Sequence, residues 1–146
     1  GITGLVNAVF NQHDVLLVVL DNGTTAPGQN SSEFGVTLCM ADMSGPFDYH
    51  LTRYMIRLCQ EFQIPYQRDI FRYYRSDSAA AVEAGADIRT ALATFGIDGS
   101  HGWERIHWNA LESLIKLVIV YMQSPPLFLR DQDDIGPRGG FPMQPA

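Results

Sequence analysis

An unbroken apolar run at residues 15–20 leads directly into Asp21, which opens a loop rich in glycine and hydroxyl residues. A run of this length without polar alternation predicts a strand that is buried on both faces, as in a parallel or mixed sheet. Ligands bind at the carboxyl ends of strands in such sheets, so Asp21 stands where a functional carboxylate is expected. Aspartate is also an ordinary turn residue, and a purely local role in the turn is the alternative.

Strand-like and helix-like segments alternate along the chain and predict an α/β fold, a mixed sheet flanked by helices. The predicted strands cover residues 15–20, 35–40, 64–74 and 88–95, and the predicted helices cover residues 2–11, 48–62, 78–84 and 108–121. We expect Asp48 to cap the second of these helices and Gly85 to stop the third.

The length of 146 residues suits one domain. We expect that domain to occupy residues 1–123 and to be followed by a flexible Pro- and Gly-rich tail at residues 124–146. The chain begins at Gly1 without an initiator methionine and with a predicted helix already under way. This start indicates that an amino-terminal piece is missing.

Charge and cysteine content exclude several classes of partner. The formal net charge of −6, without a basic stripe, argues against a nucleic-acid partner. No apolar run approaches the roughly 20 residues of a membrane span, so we expect no membrane partner. Cys39 and Cys59 lie in apolar or amphipathic segments and are expected to be small buried packing residues in a reducing, cytoplasmic compartment.

Two of the four histidines, His101 and His107, flank a compact polar turn that follows a predicted buried strand. His101 should therefore lie at the carboxyl end of that strand, near the level of Asp21. Imidazole and carboxylate together suit zinc, cobalt or manganese. A lone Ser-His-Gly turn is a weak motif, and a surface histidine is the alternative. His13 and His50 are expected at the surface.

The chain carries no self-contained catalytic motif. It has no His-Glu-x-x-His, no Gly-x-Ser-x-Gly, no phosphate loop and no Cys-x-x-Cys, and Ser100 has no obvious acid to complete a nucleophilic triad. A hydrolytic mechanism built from this chain alone therefore lacks parts.

Several segments follow the strand that ends in Asp21 in a fixed order. They are Ser44-Gly45-Pro46 before a helix, Ile64-Pro65-Tyr66-Gln67, Ser76-Asp77-Ser78-Ala79, Arg89-Thr90-Ala91-Leu92 and finally His101. Together, from Asp21 to about Met122, they resemble the glutamyl and tetrahedral aminopeptidase family of cytoplasmic dinuclear metallopeptidases. The loop after Asp21 and the segment Tyr73-Tyr74-Arg75-Ser76-Asp77-Ser78 look most like the branch associated with a dipeptide-type osmoprotectant system.

This resemblance implies hydrolysis of the amino-terminal residue of a peptide substrate by two divalent metal ions, zinc, cobalt or manganese, in an enzyme that is a homo-oligomer when complete. Asp21 and His101 would supply one ligand to each metal. Asp77 would shape the site, with a helix N-cap as the alternative. Glu104 and His107 depart from the family pattern and would either touch substrate or start the last helix, which we favour.

The same resemblance implies that parts of the site lie elsewhere. In this family the first histidine ligand, the bridging aspartate and a Glu-Glu pair containing the general base precede the segment present here, and this sequence contains none of them. The chain would be a carboxy-terminal half whose partner is a missing amino-terminal half. We therefore expect it to be inactive alone.

A second resemblance covers the first stretch only. Residues 1–10, then Leu20-Asp21-Asn22 and Thr24-Thr25-Ala26, look like the thiamine-diphosphate segment of indolepyruvate ferredoxin oxidoreductases. It implies that Asn22, with the backbone near Thr24, would bind the magnesium that anchors thiamine diphosphate. The family's upstream aspartate is absent, and the similarity ends after Ala26. A third interpretation is a non-catalytic α/β module that associates through an exposed sheet edge.

Overall fold

The computed structural model describes residues 16–125. The helix predicted at residues 2–11, His13 and nearly all of the predicted tail lie outside the described residues. The elements in chain order are β1 (Leu16–Thr24), β2 (Val36–Asp42), β3 (Gly45–Pro46), α1 (Tyr49–Glu61), β4 (Tyr66–Phe71), α2 (Ser78–Glu83), β5 (Arg89–Asp98), β6 (Arg105–Ile106) and α3 (Trp108–Gln123).

The strands form one mixed sheet. β5 pairs with β1 in parallel and with β2 antiparallel, and β2 pairs with β4 in parallel. The short strands β3 and β6 add antiparallel to the ends of β2 and β5. The prediction of an α/β fold with a mixed sheet and flanking helices is confirmed.

Two features predicted for the first strand are wrong. β1 does not end at Asp21 but runs to Thr24, because its parallel pairing with β5 continues through Gly23↔Gly96 and Thr24↔Ile97. β1 is also half-buried rather than buried on both faces, and Leu20 is 49% exposed. The reason is that, among residues 16–125, β1 pairs with β5 alone.

Gly23 shows why the strand can continue past the acid. A Cβ added to this residue would lie 2.5 Å from Thr94 Oγ1 and 2.9 Å from the Phe71 ring. Only glycine leaves room for the backbone of β1 to lie this close to the side chains of Thr94 and Phe71. The glycine that indicated a turn in the sequence is therefore a packing residue within the strand.

The core occupies both faces of the sheet. On one face, Leu51 and Met55 of α1 and Leu117 of α3 pack against Val36 and Leu38 of β2. The other face carries a smaller cluster of Cys39, Phe47, Phe71 and Leu92, with Val19 packed against it. Alternating side chains of one strand point to opposite faces, so Val19 and Asp21 share the face of this smaller cluster.

The helix bounds follow from local signals. Asp48 is the N-cap of α1, as predicted, and its Oδ1 accepts a hydrogen bond from Leu51 N at 2.7 Å. α2 ends before Gly85, whose φ of 82° is left-handed and suits glycine. Phe62, the last residue of the helix predicted at residues 48–62, follows α1 and is 52% exposed.

Cys39 and Cys59 are buried free thiols, as predicted for packing residues. Burial raises the pKa of each thiol to about 12. His50 is exposed at the start of α1, also as predicted. Within residues 16–125, none of the helices has the length and apolar character needed to cross a membrane.

Candidate functional site

A cleft of about 200 Å³ opens beside the smaller apolar cluster. Three segments that are distant in sequence line it: residues 21–24 of β1, residues 74–77 before α2, and Ser100 with His101 after β5. Asp42, Phe71 and Leu92 complete the lining. The fold thus brings Asp21, Asp77 and His101 into one cleft, together with Asn22 and Thr24.

Asp21 is positioned by the parallel ladder between β1 and β5, in which it lies opposite Thr94. Its Oδ1 accepts a hydrogen bond from Asn22 N at 2.7 Å. Within the described residues no hydrogen bond to its Oδ2 is present. The carboxylate therefore makes a local contact, as the turn alternative requires, and still has an oxygen available in the cleft.

His101 is held in an unusual backbone conformation. Its φ of 61° lies in the left-handed region, which non-glycine residues rarely adopt. The Glu104 carboxylate accepts a hydrogen bond from His101 N at 3.0 Å. Arg105 contacts Asp98 at 3.1 Å across the base of the same turn. These contacts fix the turn that presents the imidazole in the cleft.

The structure places Glu104 and His107 outside the cleft lining. Glu104 contacts the backbone of His101, as described. His107 is the N-cap of α3, and its Nδ1 accepts a hydrogen bond from Asn109 N at 3.2 Å. Its ring also lies 4.9 Å, between centroids, from the ring of Phe34. In this structure His107 begins the last helix.

Asp77 occupies the N-cap position of α2, but its side chain makes no capping hydrogen bond. Its carboxylate is therefore not used by the helix, although the sequence suggested that alternative. It lies in the cleft with Asp21 and His101.

The sequence analysis did not identify Asp42 as part of this region. Asp42 is 8% exposed, and its Oδ1 accepts hydrogen bonds from the backbone N–H and the hydroxyl of Ser44. Its Oδ2 accepts one from Ser76 N at 2.7 Å. Asp42 thus ties the cleft-lining segment before α2 to the end of β2. The signal was a second acid at the end of a strand, but the predicted strand stopped at Met40.

A second buried acid, Asp69, anchors the loop that follows β1. Its Oδ2 accepts hydrogen bonds from Gln29 Nε2 at 2.9 Å, Asn30 N at 2.9 Å and Ser31 N at 2.8 Å. Both oxygens of this carboxylate are engaged, because Oδ1 accepts from Ile70 N. Asp69 therefore supports the loop behind the cleft.

The carboxylate and imidazole groups in the cleft are chemically suited to bind divalent metal ions. Carboxylate and imidazole are ordinary ligands of zinc and related metals. A structural or catalytic zinc ion needs three or four protein ligands, however. No group of three or more His, Cys, Asp or Glu side chains that could hold a metal ion occurs in the described part of the chain. Asp21 and His101 can contribute to a metal centre but cannot complete one.

The described residues thus combine an α/β mixed sheet with a carboxylate and an imidazole that line one cleft. The family model of M42 glutamyl aminopeptidases matches residues 1–117, and the chain belongs to that family of dinuclear metallopeptidases. It is 40% identical over 119 residues to the Bacillus subtilis (strain 168) protein named "Putative aminopeptidase YhfE", a match that covers 82% of this chain and 34% of the relative.

Solved structures of aminopeptidases share the fold. Aminopeptidase APDkam598 of the archaeon Desulfurococcus kamchatkensis matches 87% of this chain with a TM-score of 0.72 at 14% identity. The Pyrococcus horikoshii TET1 peptidase, which can assemble into a tetrahedron or a large octahedral shell, matches 83% with a TM-score of 0.64 at 19% identity. These matches cover 39% and 37% of the two relatives, so the chain spans little more than a third of their length.

The family match also bears on the thiamine-diphosphate alternative. It begins at residue 1 and so includes the first stretch that carries the likeness to the oxidoreductases. Asn22 and Thr24, the residues that this alternative assigns to magnesium, line the same cleft as Asp21. The first stretch is therefore also accounted for by the aminopeptidase family match.

Proposed function

We propose that this chain forms part of the active site of a metallo-aminopeptidase that removes the amino-terminal residue of peptides. Asp21 supplies a ligand to one of two divalent metal ions, and His101 supplies a ligand to the other. The observation that supports this proposal is that these two residues, on β1 and after β5, line one cleft.

The chain's own residues position the ligands. The β1–β5 ladder fixes Asp21, and the bond from Asn22 N to its Oδ1 leaves the second carboxylate oxygen available, so that it would be able to bind a metal. Glu104 holds the turn that carries His101. Asp77, whose carboxylate makes no capping bond, shapes the cleft beside them. The bound zinc, cobalt or manganese would supply the Lewis acid that polarises the scissile carbonyl.

The general base and the remaining ligands come from a partner segment equivalent to the amino-terminal half of the longer relatives. The chain alone is inactive for that reason. The catalytic part corresponds to the domain predicted at residues 1–123. The TET1 peptidase assembles into large shells, which supports a homo-oligomer for the complete protein.

Metal binding by the chain itself tests the ligand assignment. Zinc titration followed by NMR should give weak, saturable binding that perturbs the resonances of residues 21 and 101. Asp21→Asn should remove the perturbation at residue 21, and His101→Gln should remove that at residue 101, because each residue serves a different metal. The matched controls Asp87→Asn and His50→Gln alter exposed residues outside the cleft lining and should leave it unchanged. Absence of saturable binding in the wild type would support the non-catalytic module instead.

Activity requires a complemented protein. We expect the chain, joined to the amino-terminal part of a relative, to hydrolyse a chromogenic aminoacyl substrate when zinc or cobalt is added. Activity that survives both Asp21→Ala and His101→Ala would show that the assignment is wrong.

A further inference from the structure

An open apolar cavity of about 140 Å³ lies on the sheet face that carries α1 and α3, opposite the face of the cleft. Its lining contains no charged side chain. The residues that form it above β5 are Val18 and Leu20 of β1, Met55 of α1, and Leu117, Val118 and Tyr121 of α3. Leu20 is 49% exposed, so the cavity is open to solvent beside β1.

The flank of α3 next to this cavity is apolar and exposed within residues 16–125. Ile115, Val118 and Met122 recur at a spacing of three and four residues, which places them along one side of the helix. Ile115 is 45% exposed and Met122 is 78% exposed. Val118 belongs both to this stripe and to the cavity, so the two form one continuous apolar groove. The ion pair between Lys116 and Glu112 lies on the other flank of α3.

Residues 1–15, which lead into β1, lie outside the described residues and match this groove in polarity. They join the strand at Leu16, and Leu16 and Val18 pack against the core on the same face. Within residues 2–11, Leu5, Val6 and Val9 recur at helical spacing, and residues 1–11 contain no Asp, Glu, Lys or Arg. An uncharged amphipathic segment suits a groove without charged groups.

The length of this segment also suits the groove. A helix over residues 2–11 would be about 15 Å long, and β1 covers about 13 Å from Leu16 to Leu20. Residues 12–15 provide a link within the usual length of a helix-to-strand connection, roughly 2–6 residues. A helix that runs back along β1 can therefore cover both Leu20 and the stripe of α3.

We propose that residues 2–11 dock as a helix in this apolar groove, with Val9 at the centre of the buried face and in contact with Val118 and Leu20. This inference goes beyond the proposed function and does not depend on it. Leu20 directly precedes Asp21, and the two side chains point to opposite faces of β1. The docked segment therefore supports the strand that carries Asp21 from the face opposite the cleft.

A second apolar segment, residues 127–129, also lies outside the described residues. It is followed directly by Arg130 and Asp131. The groove offers no charged group to pair with either residue. Residues 2–11 are therefore the better match, and contacts from residues 127–129 are a contrary outcome of the test.

Nuclear Overhauser effects between labelled Leu, Val and Ile methyl groups in the full 146-residue chain test the docking directly. We expect contacts from the methyl groups of Val9, and of Leu5 or Val6, to those of Leu20 and Val118. An isotope-filtered experiment on a mixture of labelled and unlabelled chains should show none of these contacts, because the docking is within one chain.

Three results would overturn the inference. They are contacts to Leu20 and Val118 from residues 127 and 129 in place of residues 5–9, contacts that appear only between labelled and unlabelled chains, and the absence of any contact to residues 5–9. The second of these results would identify the groove as an interface between two copies of the chain.

A matched pair of variants adds a check that does not depend on the assignment of contacts. Val9→Asp should shift the methyl resonances of Leu20 and Val118, because a carboxylate cannot stay in the groove without a partner. Val82→Asp makes the same change at a valine of α2 that is 52% exposed and lies outside the groove, and it should leave both resonances in place.

The methyl resonances of Leu92, which is buried on the opposite face, should be unchanged in both variants and so report that the fold is intact. Unshifted Leu20 and Val118 resonances in Val9→Asp would contradict the docking. Neither measurement uses metal or turnover, so a failure of zinc binding at Asp21 and His101 would remove the proposed function and leave this result unchanged.

Discussion

Glu104 Oε1 lies 3.0 Å from the backbone nitrogen of His101 and accepts its hydrogen bond. This contact links a residue outside the cleft to the residue that presents the imidazole inside it. The same turn has His101 at a backbone φ of 61°, in the left-handed region.

We predict that Glu104→Ala lowers the affinity for zinc by about tenfold, the typical effect of removing a group that orients a ligand. The imidazole remains present but its turn is released. Glu104→Gln keeps an acceptor oxygen and should retain most of the affinity. Zinc titration by NMR checks both variants, and equal affinity of Glu104→Ala and wild type would refute the positioning role.

His101 itself should show a conflict between stability and function. The left-handed conformation costs a residue with a Cβ about 1 kcal/mol relative to glycine. In urea denaturation, the free energy of unfolding of His101→Gly should therefore be about 1 kcal/mol higher than that of His101→Ala. Both variants should lose zinc binding at residue 101. If the alanine variant is the more stable of the two, the φ assignment is wrong.

Asp42→Ala should destabilise the fold by about 1–3 kcal/mol, because it leaves the buried N–H group of Ser76 without an acceptor and also removes the hydrogen bond from the N–H group of Ser44. Asp98→Asn is the matched control, since Asp98 is exposed and its ion-pair partner is the exposed Arg105; its effect should be below about 0.5 kcal/mol. Urea denaturation of both variants measures the difference.

Gly23→Ala should destabilise by about 1–3 kcal/mol, the usual cost of overpacking, because the new Cβ would lie 2.5 Å from Thr94 Oγ1. Gly102→Ala serves as the control, since no atom lies within 4 Å of its added Cβ. A cost at Gly102 equal to that at Gly23 would show that backbone entropy, and not the contact with Thr94, governs both.

The cysteines predict a loss of stability at alkaline pH. Burial raises the pKa of Cys39 and Cys59 from 9.0 to about 12. The folded state therefore favours the neutral thiols: their contribution is fully present below pH 9 and is lost as the pH rises toward 12. The free energy of unfolding measured in urea should fall less between pH 8 and pH 11 in a variant with both cysteines replaced by alanine than in the wild type. At pH 8 the folded wild type should react slowly with a thiol reagent.

Side-chain patterning was sufficient to predict much of the fold. The run before Asp21, the N-cap at Asp48 and the amphipathic spacing of α1 and α3 depend on local preferences that the sequence displays directly. The strand bounds were less accurate, because the continuation of β1 past Asp21 depends on pairing with β5 and on the contact between Gly23 and Thr94. β5 and Thr94 are distant in sequence from β1 and Gly23.

The candidate site divides in the same way. Asp21 and His101 were identifiable because each follows a predicted strand, and the ordered motifs strengthened that prediction. Asp42 and Arg75 were not singled out, since their partners are set by tertiary contacts. The engagement of Asp42 by Ser76, and the place of Arg75 in the cleft, exist only once β2 and the segment before α2 have been brought together.

The register of β1 against β5 carries a further consequence. Asp21 faces the cleft because Val19 and Asp21 lie opposite Leu92 and Thr94. A shift of β1 by a single residue would turn Leu20 toward the cleft and Asp21 toward the face covered by α1 and α3. The hydrogen-bond ladder between β1 and β5 therefore determines both the pairing of the sheet and which side chain of β1 lies in the cleft. A chain that folded with this strand displaced by one residue would keep its secondary structure and lose the proposed metal ligand from the cleft.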